Sequence, residues 1–205
     1  MSITFYYAPF SSAGPVYSAL HELDVPYDLV KLDLAKGDQR TPEHLARNPN
    51  GKVPTVVIDG TPMFEACAIM QWLGDRYGVD RGLWPAADAP ERLTAMAWST
   101  WAYVTLGPSV RQIVLSNGKR VPELESQAHW EHAQHEFQTH VGILDARLAE
   151  QPYMLGDRYT LVDLIVGCVV MYGASQGGDL SAAPRVAAWT QRLQGREAVR
   201  AAFAA

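Results

Sequence analysis

The spacing of apolar and polar residues changes character about two-fifths of the way along the chain. Up to about residue 80, short aromatic or β-branched runs alternate with helix-spaced ones. Ile3 to Tyr7 predicts a strand, rich in aromatic and β-branched side chains. Pro15 to Leu23 places Val16, Ala19, Leu20 and Leu23 on one helix face. Asp28 to Leu34 alternates polar and apolar and predicts a second strand. Thr41-Pro42-Glu43 opens a short helix, with Thr41 as cap and Pro42 at the first helical position. Thr55 to Ile58 and Pro62 to Phe64 flank Asp59-Gly60, a strong hairpin signal. Ala66 to Tyr77 carries Ile69, Met70, Trp72 and Leu73 and predicts a helix stopped by Gly78. The order is βαβ followed by ββα. The first two strands flank a helix, so they are expected to be parallel with a right-handed crossover.

Residues 80–89, within VDRGLWPAADAP, show no period and form the expected linker. From residue 90 to 205 the pattern is helical throughout. Glu91 to Val104 predicts a long helix that continues past Gly107-Pro108 with a kink. Val121 to Glu150 predicts a second, with Phe137, Val141, Leu144 and Leu148 on one face. Thr160 to Met171 is apolar all round, as a buried helix would be. Pro184 to Leu193 gives a fourth. In GDRYTLVD, Thr160 and Asp163 have the spacing of a capping box, with Tyr159 and Leu164 placed as its staple. The expected fold is thus an α/β domain over 1–79 joined to an all-α helical bundle over 90–205.

Composition narrows the function. Of 205 residues, 48% are hydrophobic, enough for a proper core. Net charge is −5 with no basic cluster, which argues against nucleic-acid binding. No apolar run approaches the ~20 residues of a membrane span. The start, MSITFYYAPF, carries no export signal, and two cysteines make no disulfide framework, so a cytoplasmic protein with reduced thiols is expected. His129, His132 and His135 drift around their helix and read as a solvated face rather than a metal site. Cys67 reads as a small core residue, with a redox-sensitive thiol as the alternative.

Chemistry enters at NPNGKVPTVVIDG, where Pro54 stands at a strand entrance. It can be a plain edge residue, a trans turn proline or a cis proline. In the last case the N–H and C=O of Val53 would be left facing outward, open to an extended peptide-like ligand.

NPNGKVPTVVIDG followed by MFEACAIMQWLGDRYG resembles the glutathione-binding half of the cytosolic glutathione transferases, and GDRYTLVD resembles the mark of their helical half. The resemblance covers essentially the whole chain and implies a thioredoxin-like first domain. It implies that Val53–Pro54 is cis, and that the Val53 backbone pairs with the cysteinyl unit of glutathione. Lys52 would then reach the glycyl carboxylate, and Glu65 would face the γ-glutamyl ammonium. The helix start at Ala66–Cys67 would meet the γ-glutamyl carboxylate. The family usually has serine at Ala66, so a weakened glutathione site is expected, through both a lost ligand bond and a poor N-cap.

A transferase must raise the thiolate fraction of glutathione, which at pH 7 is only about 3% for a thiol of ordinary pKa. FYYAPFSSAG is similar to the serine-type, bacterial-like members and places Ser11 at the catalytic position, with Ser12 and Tyr6 or Tyr7 as alternates. No cysteine stands at positions 8–16, which argues against the thiol–disulfide branch. Phe10 is the expected wall of the electrophile pocket, with Trp101, Tyr103, Val104 and Arg111 from the helical half. The implied function is addition of glutathione to a small apolar electrophile, in detoxification, by a homodimer that needs no metal. Glutathione-dependent isomerisation or dehalogenation, and a non-catalytic binding protein, are the alternatives.

Overall fold

A computed structural model describes residues 1–204, which fall into two compact units. One is Met1–Gly82 together with the stretch from Arg196 onward, and the other is Leu83–Gly195.

The first unit is built on a four-stranded sheet. Its elements are β1 (Ile3–Tyr7), α1 (Gly14–Glu22), β2 (Asp28–Lys31), α2 (Pro42–Leu45), β3 (Thr55–Ile58), β4 (Thr61–Phe64) and α3 (Ala66–Leu73). The order across the sheet is β2-β1-β3-β4, with β1–β2 parallel and the other pairs antiparallel. Asp59 (φ 46°) and Gly60 (φ 85°) both take the left-handed conformation that a two-residue hairpin turn requires. Alternation along β1 divides the core. Ile3, Phe5 and Tyr7 are buried on one face, where the Phe5 and Tyr7 rings meet Tyr17 of α1 at 6.5 and 5.3 Å. Tyr6 points to the other face, against the His44 ring of α2 at 5.6 Å and under the Arg47 guanidinium at 5.2 Å. Thr41 caps α2 by accepting the His44 N–H.

Within this unit two expected boundaries move by more than one residue. β2 stops at Lys31 rather than Leu34, and α3 ends at Leu73, its continuation widening into a π-type turn over Gly74–Gly78. A third change is larger, because the expected all-helical domain of 90–205 does not keep its end. Helix α9 (Glu197–Ala204) packs in the first unit, and the division between units falls after Gly82, inside the expected 80–89 linker. The physical reason is a buried charge. The Glu22 carboxylate at the end of α1 is only 7% exposed and must be paired, and Arg196 does so through Nη2 at 2.8 Å. The Tyr7 hydroxyl also donates to the Ala202 carbonyl at 3.3 Å.

The second unit contains α4 (Glu91–Trp101), α5 (Gly107–Ser116), α6 (Gln127–Arg147), α7 (Leu161–Ser175) and α8 (Pro184–Gln194). Helix α6 is Gln127–Arg147 rather than Val121 to Glu150, and its expected face is buried at Phe137, Val141, Leu144 and Leu148. The kink before Pro108 takes the form of a π-type turn over Ala102–Leu106. Pro108 has no N–H and its ring would press on the carbonyl four residues back. The wider turn removes that conflict, and the Gly107 N–H reaches Ala102 O instead. The capping box forms: the Asp163 carboxylate accepts from the Thr160 N–H at 2.9 Å. It also accepts from the Met154 N–H (2.8 Å) and the Trp189 indole N–H (3.0 Å), so one buried side chain fixes a loop and two helices. Asp145 of α6 does the same for the start of α8, accepting the N–H groups of Arg185 (2.7 Å) and Val186 (3.2 Å) and the Arg185 guanidinium (2.7 Å). Among the described residues no helix is long and apolar enough to cross a membrane.

Candidate functional site

The residues expected to hold glutathione lie in the first unit, where three segments begin or end: the β1–α1 loop, the loop entering β3, and the β4–α3 junction. Val53–Pro54 is cis, and Val53 lies outside the sheet ladder, whose β1–β3 register ends at Tyr6↔Thr55. The Val53 N–H makes no hydrogen bond to any described residue. The Val53 carbonyl differs from the expectation of an open acceptor, because Ser12 Oγ donates to it at 2.7 Å. A carbonyl oxygen has two lone pairs, so one remains for a ligand N–H.

That contact separates the two candidate serines. Ser11 Oγ donates to the Ala8 carbonyl at 2.6 Å and accepts the Ala13 N–H at 3.1 Å. Both of its capacities are used within the turn that starts α1. Ser12 is exposed and reaches across to the cis-proline loop. Tyr7, the phenolic alternative, is fully buried, its hydroxyl given to Ala202. Burial first, and Tyr17 next to it, push its pKa above the ordinary phenol value. The Tyr6 ring lies between His44 and Arg47 on the α2 face. Phe10 stands 84% exposed in the same loop with φ 54°, a left-handed conformation that costs a bulky residue strain.

The loop entering β3 is held from inside. The Lys52 carbonyl accepts from His44 Nε2 (2.9 Å), Asn48 Nδ2 (2.9 Å) and Thr55 Oγ1 (3.2 Å), all three side chains being buried. The Lys52 side chain is exposed. The sequence reading missed His44, Asn48 and Thr55. Asn48 and Thr55 stand within NPNGKVPTVVIDG, but nothing in their spacing announces a convergence on one carbonyl.

At the β4–α3 junction Glu65 is exposed with φ 72° and is the N-cap residue of α3, while Ala66 is its first helical residue. This corrects one expectation: Ala66 does not occupy the cap, so its lack of a hydroxyl does not cost the helix a cap. The first-turn N–H groups of such a helix lack intrahelical partners and favour an anion. Cys67 follows, and burial, with the Glu65 charge second, raises its thiol to about 11. Burial raises Cys168 to about 12. Both are protonated at neutral pH, so neither is a ready nucleophile.

In the helical unit Trp101 makes edge contacts with Trp98 (5.1 Å) and His140 (5.8 Å), and Arg147 lies over Trp98 at 5.1 Å. Tyr103 and Val104 fall in the wide turn, Val104 being 68% exposed, and Arg111 is exposed on α5. His129, His132 and His135 are exposed on α6, and no metal-holding group of His, Cys, Asp and Glu occurs among the described residues.

Comparison with known proteins identifies the class. Residues 11–76 match the glutathione S-transferase N-terminal domain and residues 114–197 the glutathione S-transferase C-terminal domain. The chain belongs to the glutathione S-transferase family and is a glutathione transferase with glutathione as cosubstrate. It is 31% identical to the disulfide-bond oxidoreductase YfcG of Escherichia coli, over 96% of this chain and 92% of that protein. It is also 31% identical to glutathione S-transferase GstB of Escherichia coli, over 90% and 89%. Among solved structures, a glutathione transferase of Burkholderia graminis with two glutathione molecules bound per subunit superposes with a TM-score of 0.86, at 27% identity, covering 98% of this chain and 87% of that one.

Proposed function

We propose that the protein adds the glutathione thiolate to a small apolar electrophile, and that Ser12, rather than Ser11, lowers the thiol pKa. The observation that carries this is the Ser12 Oγ contact with the Val53 carbonyl at 2.7 Å, beside the unpaired Val53 N–H. The cysteinyl unit of glutathione, laid along Val53, would accept from the Val53 N–H and donate its own N–H to the Val53 carbonyl. The ligand N–H takes the open lone pair of that carbonyl, and the Ser12 O–H turns from Val53 to the sulfur, the stronger, charged acceptor. A hydroxyl donated to the thiolate and the nearby start of α1 both favour the anion. Lys52 takes the glycyl carboxylate, Glu65 the γ-glutamyl ammonium, and the start of α3 at Ala66 the γ-glutamyl carboxylate. For the electrophile, the assigned residue of the first unit is Phe10, beside the thiol. A homodimer completes the reading, supported by the exposed apolar side chains of Leu93 and Met96 on α4.

The likeness to YfcG supports a second reading, a glutathione-dependent disulfide reduction. With no cysteine at positions 8–16 and two thiols held protonated, this chain would have to use two glutathiones. One thiolate attacks the substrate disulfide, forming a mixed disulfide and releasing one substrate thiolate. A second glutathione thiolate then attacks the mixed disulfide, giving oxidised glutathione and the other substrate thiolate. The two readings are separated by supplying glutathione with either an aryl halide or a small dialkyl disulfide. Halide release with a thioether product is the expected result. Turnover of the disulfide alone would replace the first reading with the second.

A further inference from the structure

We propose that His44 is a positioning residue for glutathione, acting through the Lys52 carbonyl to set the direction of the Val53 N–H. The inference rests on the reading that Val53 pairs with glutathione.

The argument is one of peptide geometry. Val53–Pro54 is cis, but the preceding Lys52–Val53 bond is trans. In a trans peptide the C=O and N–H lie on opposite edges of one rigid plane. Fixing the Lys52 oxygen therefore fixes the Val53 N–H, pointing the other way. The oxygen is fixed by His44, Asn48 and Thr55, which are 2%, 2% and 0% exposed. The N–H edge has no partner, which is what a backbone group waiting for a ligand carbonyl looks like.

Of the three donors, His44 comes from outside the loop and its strand. Asn48 and Thr55 stand four and three residues from Lys52, whereas His44 belongs to α2. Its ring is braced by an edge contact with Tyr6 at 5.6 Å, and its backbone by the Thr41 cap. The Lys52 oxygen can only accept, so the proton sits on Nε2. The other ring nitrogen, Nδ1, is buried with no partner, a cost the fold carries to keep this one donor in place. His44 thus links the seating of α2 on the sheet to the edge that reads glutathione.

The test compares the native chain with His44→Leu, which keeps bulk without a donor, and His44→Gln, which restores a side-chain N–H of similar reach. Glutathione affinity is measured by calorimetry and kcat at saturating glutathione. His44→Leu is expected to bind glutathione about three- to tenfold more weakly, the worth of one neutral hydrogen bond, with kcat unchanged. His44→Gln is expected to recover to within about twofold. If His44→Leu does not fold, His44→Asn, whose amide is too short to reach, takes its place. Unaltered affinity in the donor-less variant overturns the inference. So does a glutamine variant as weak as leucine, since ring packing rather than the donor would then be responsible. A native chain that binds no glutathione removes the underlying reading of Val53, and the inference with it.

Discussion

Replacing Ser12 by alanine removes one O–H donor and no packing of consequence, since the side chain is exposed. A hydrogen bond to a charged acceptor is worth about 1.5–3 kcal/mol. At 1.36 kcal/mol per unit, that lowers a thiol of pKa near 8.5 by about 1–2 units. At pH 7 the bound thiolate would then be roughly a quarter to three-quarters of the total, against about 3% without the donor. The variant loses about 8- to 25-fold in thiolate, but its less stabilised thiolate is about 3- to 8-fold more nucleophilic. The net loss at pH 7 is therefore about threefold in the chemical step. It shrinks as pH rises and vanishes at about pH 8, above which the variant passes the native chain. Single-turnover conjugation of an aryl halide from pH 6 to 10, with thiolate absorbance of bound glutathione measured alongside, reads both quantities. Ser11→Ala should leave the thiol pKa unchanged and cost about 1 kcal/mol of stability, because its hydroxyl bridges Ala8 and Ala13 in the turn. A thiol pKa that moves in Ser11→Ala and not in Ser12→Ala refutes the reasoning.

Other consequences can be checked one by one. Ala66→Ser should tighten glutathione about tenfold or more through a new bond to the ligand carboxylate, read by calorimetry. Because Ala66 is the first helical residue and not the cap, the same change should not add the ~1 kcal/mol of stability a new N-cap would, which urea unfolding decides. Asp145→Asn should cost about 1–2 kcal/mol at pH 7. Burial alone would raise the Asp145 carboxyl, but the bonds from Arg185 and Val186 outweigh it and hold the pKa below the usual value. The stabilisation is therefore complete above the unfolded value near 4 and lost as pH falls through the lower folded one, so native and variant unfolding curves should converge in acid. Gly173→Ala would set a methyl 2.6 Å from the Phe137 ring and 2.9 Å from Val110, and should lower stability by about 1–3 kcal/mol in thermal unfolding.

Much of the fold was legible because its signals are local. The aromatic and β-branched run Ile3–Tyr7, the Thr41-Pro42 cap, the Asp59-Gly60 turn and the Thr160/Asp163 box each act within a few residues, and each appears where the pattern put it. What the sequence hid depends on distant partners. The return of α9 to the first unit rests on Arg196 meeting Glu22, 174 positions away. The wide turn at Ala102–Leu106 follows from Pro108 but could equally have been an ordinary kink. At the site, the glutathione-binding loop was readable as a motif, whereas Ser11 and Ser12 are chemically identical neighbours. Only the course of the loop sends one hydroxyl into its own turn and the other to Val53. The convergence of His44, Asn48 and Thr55 on Lys52 is likewise a property of the fold, since histidine in a short helix carries no such message alone.

The most direct test of the central claim follows the Val53 backbone amide by NMR while glutathione is added. The account predicts a saturable downfield shift of the Val53 N–H, as it gains the cysteinyl carbonyl as acceptor, together with slowed exchange with solvent. Saturable binding of glutathione that leaves the Val53 amide unmoved would contradict it.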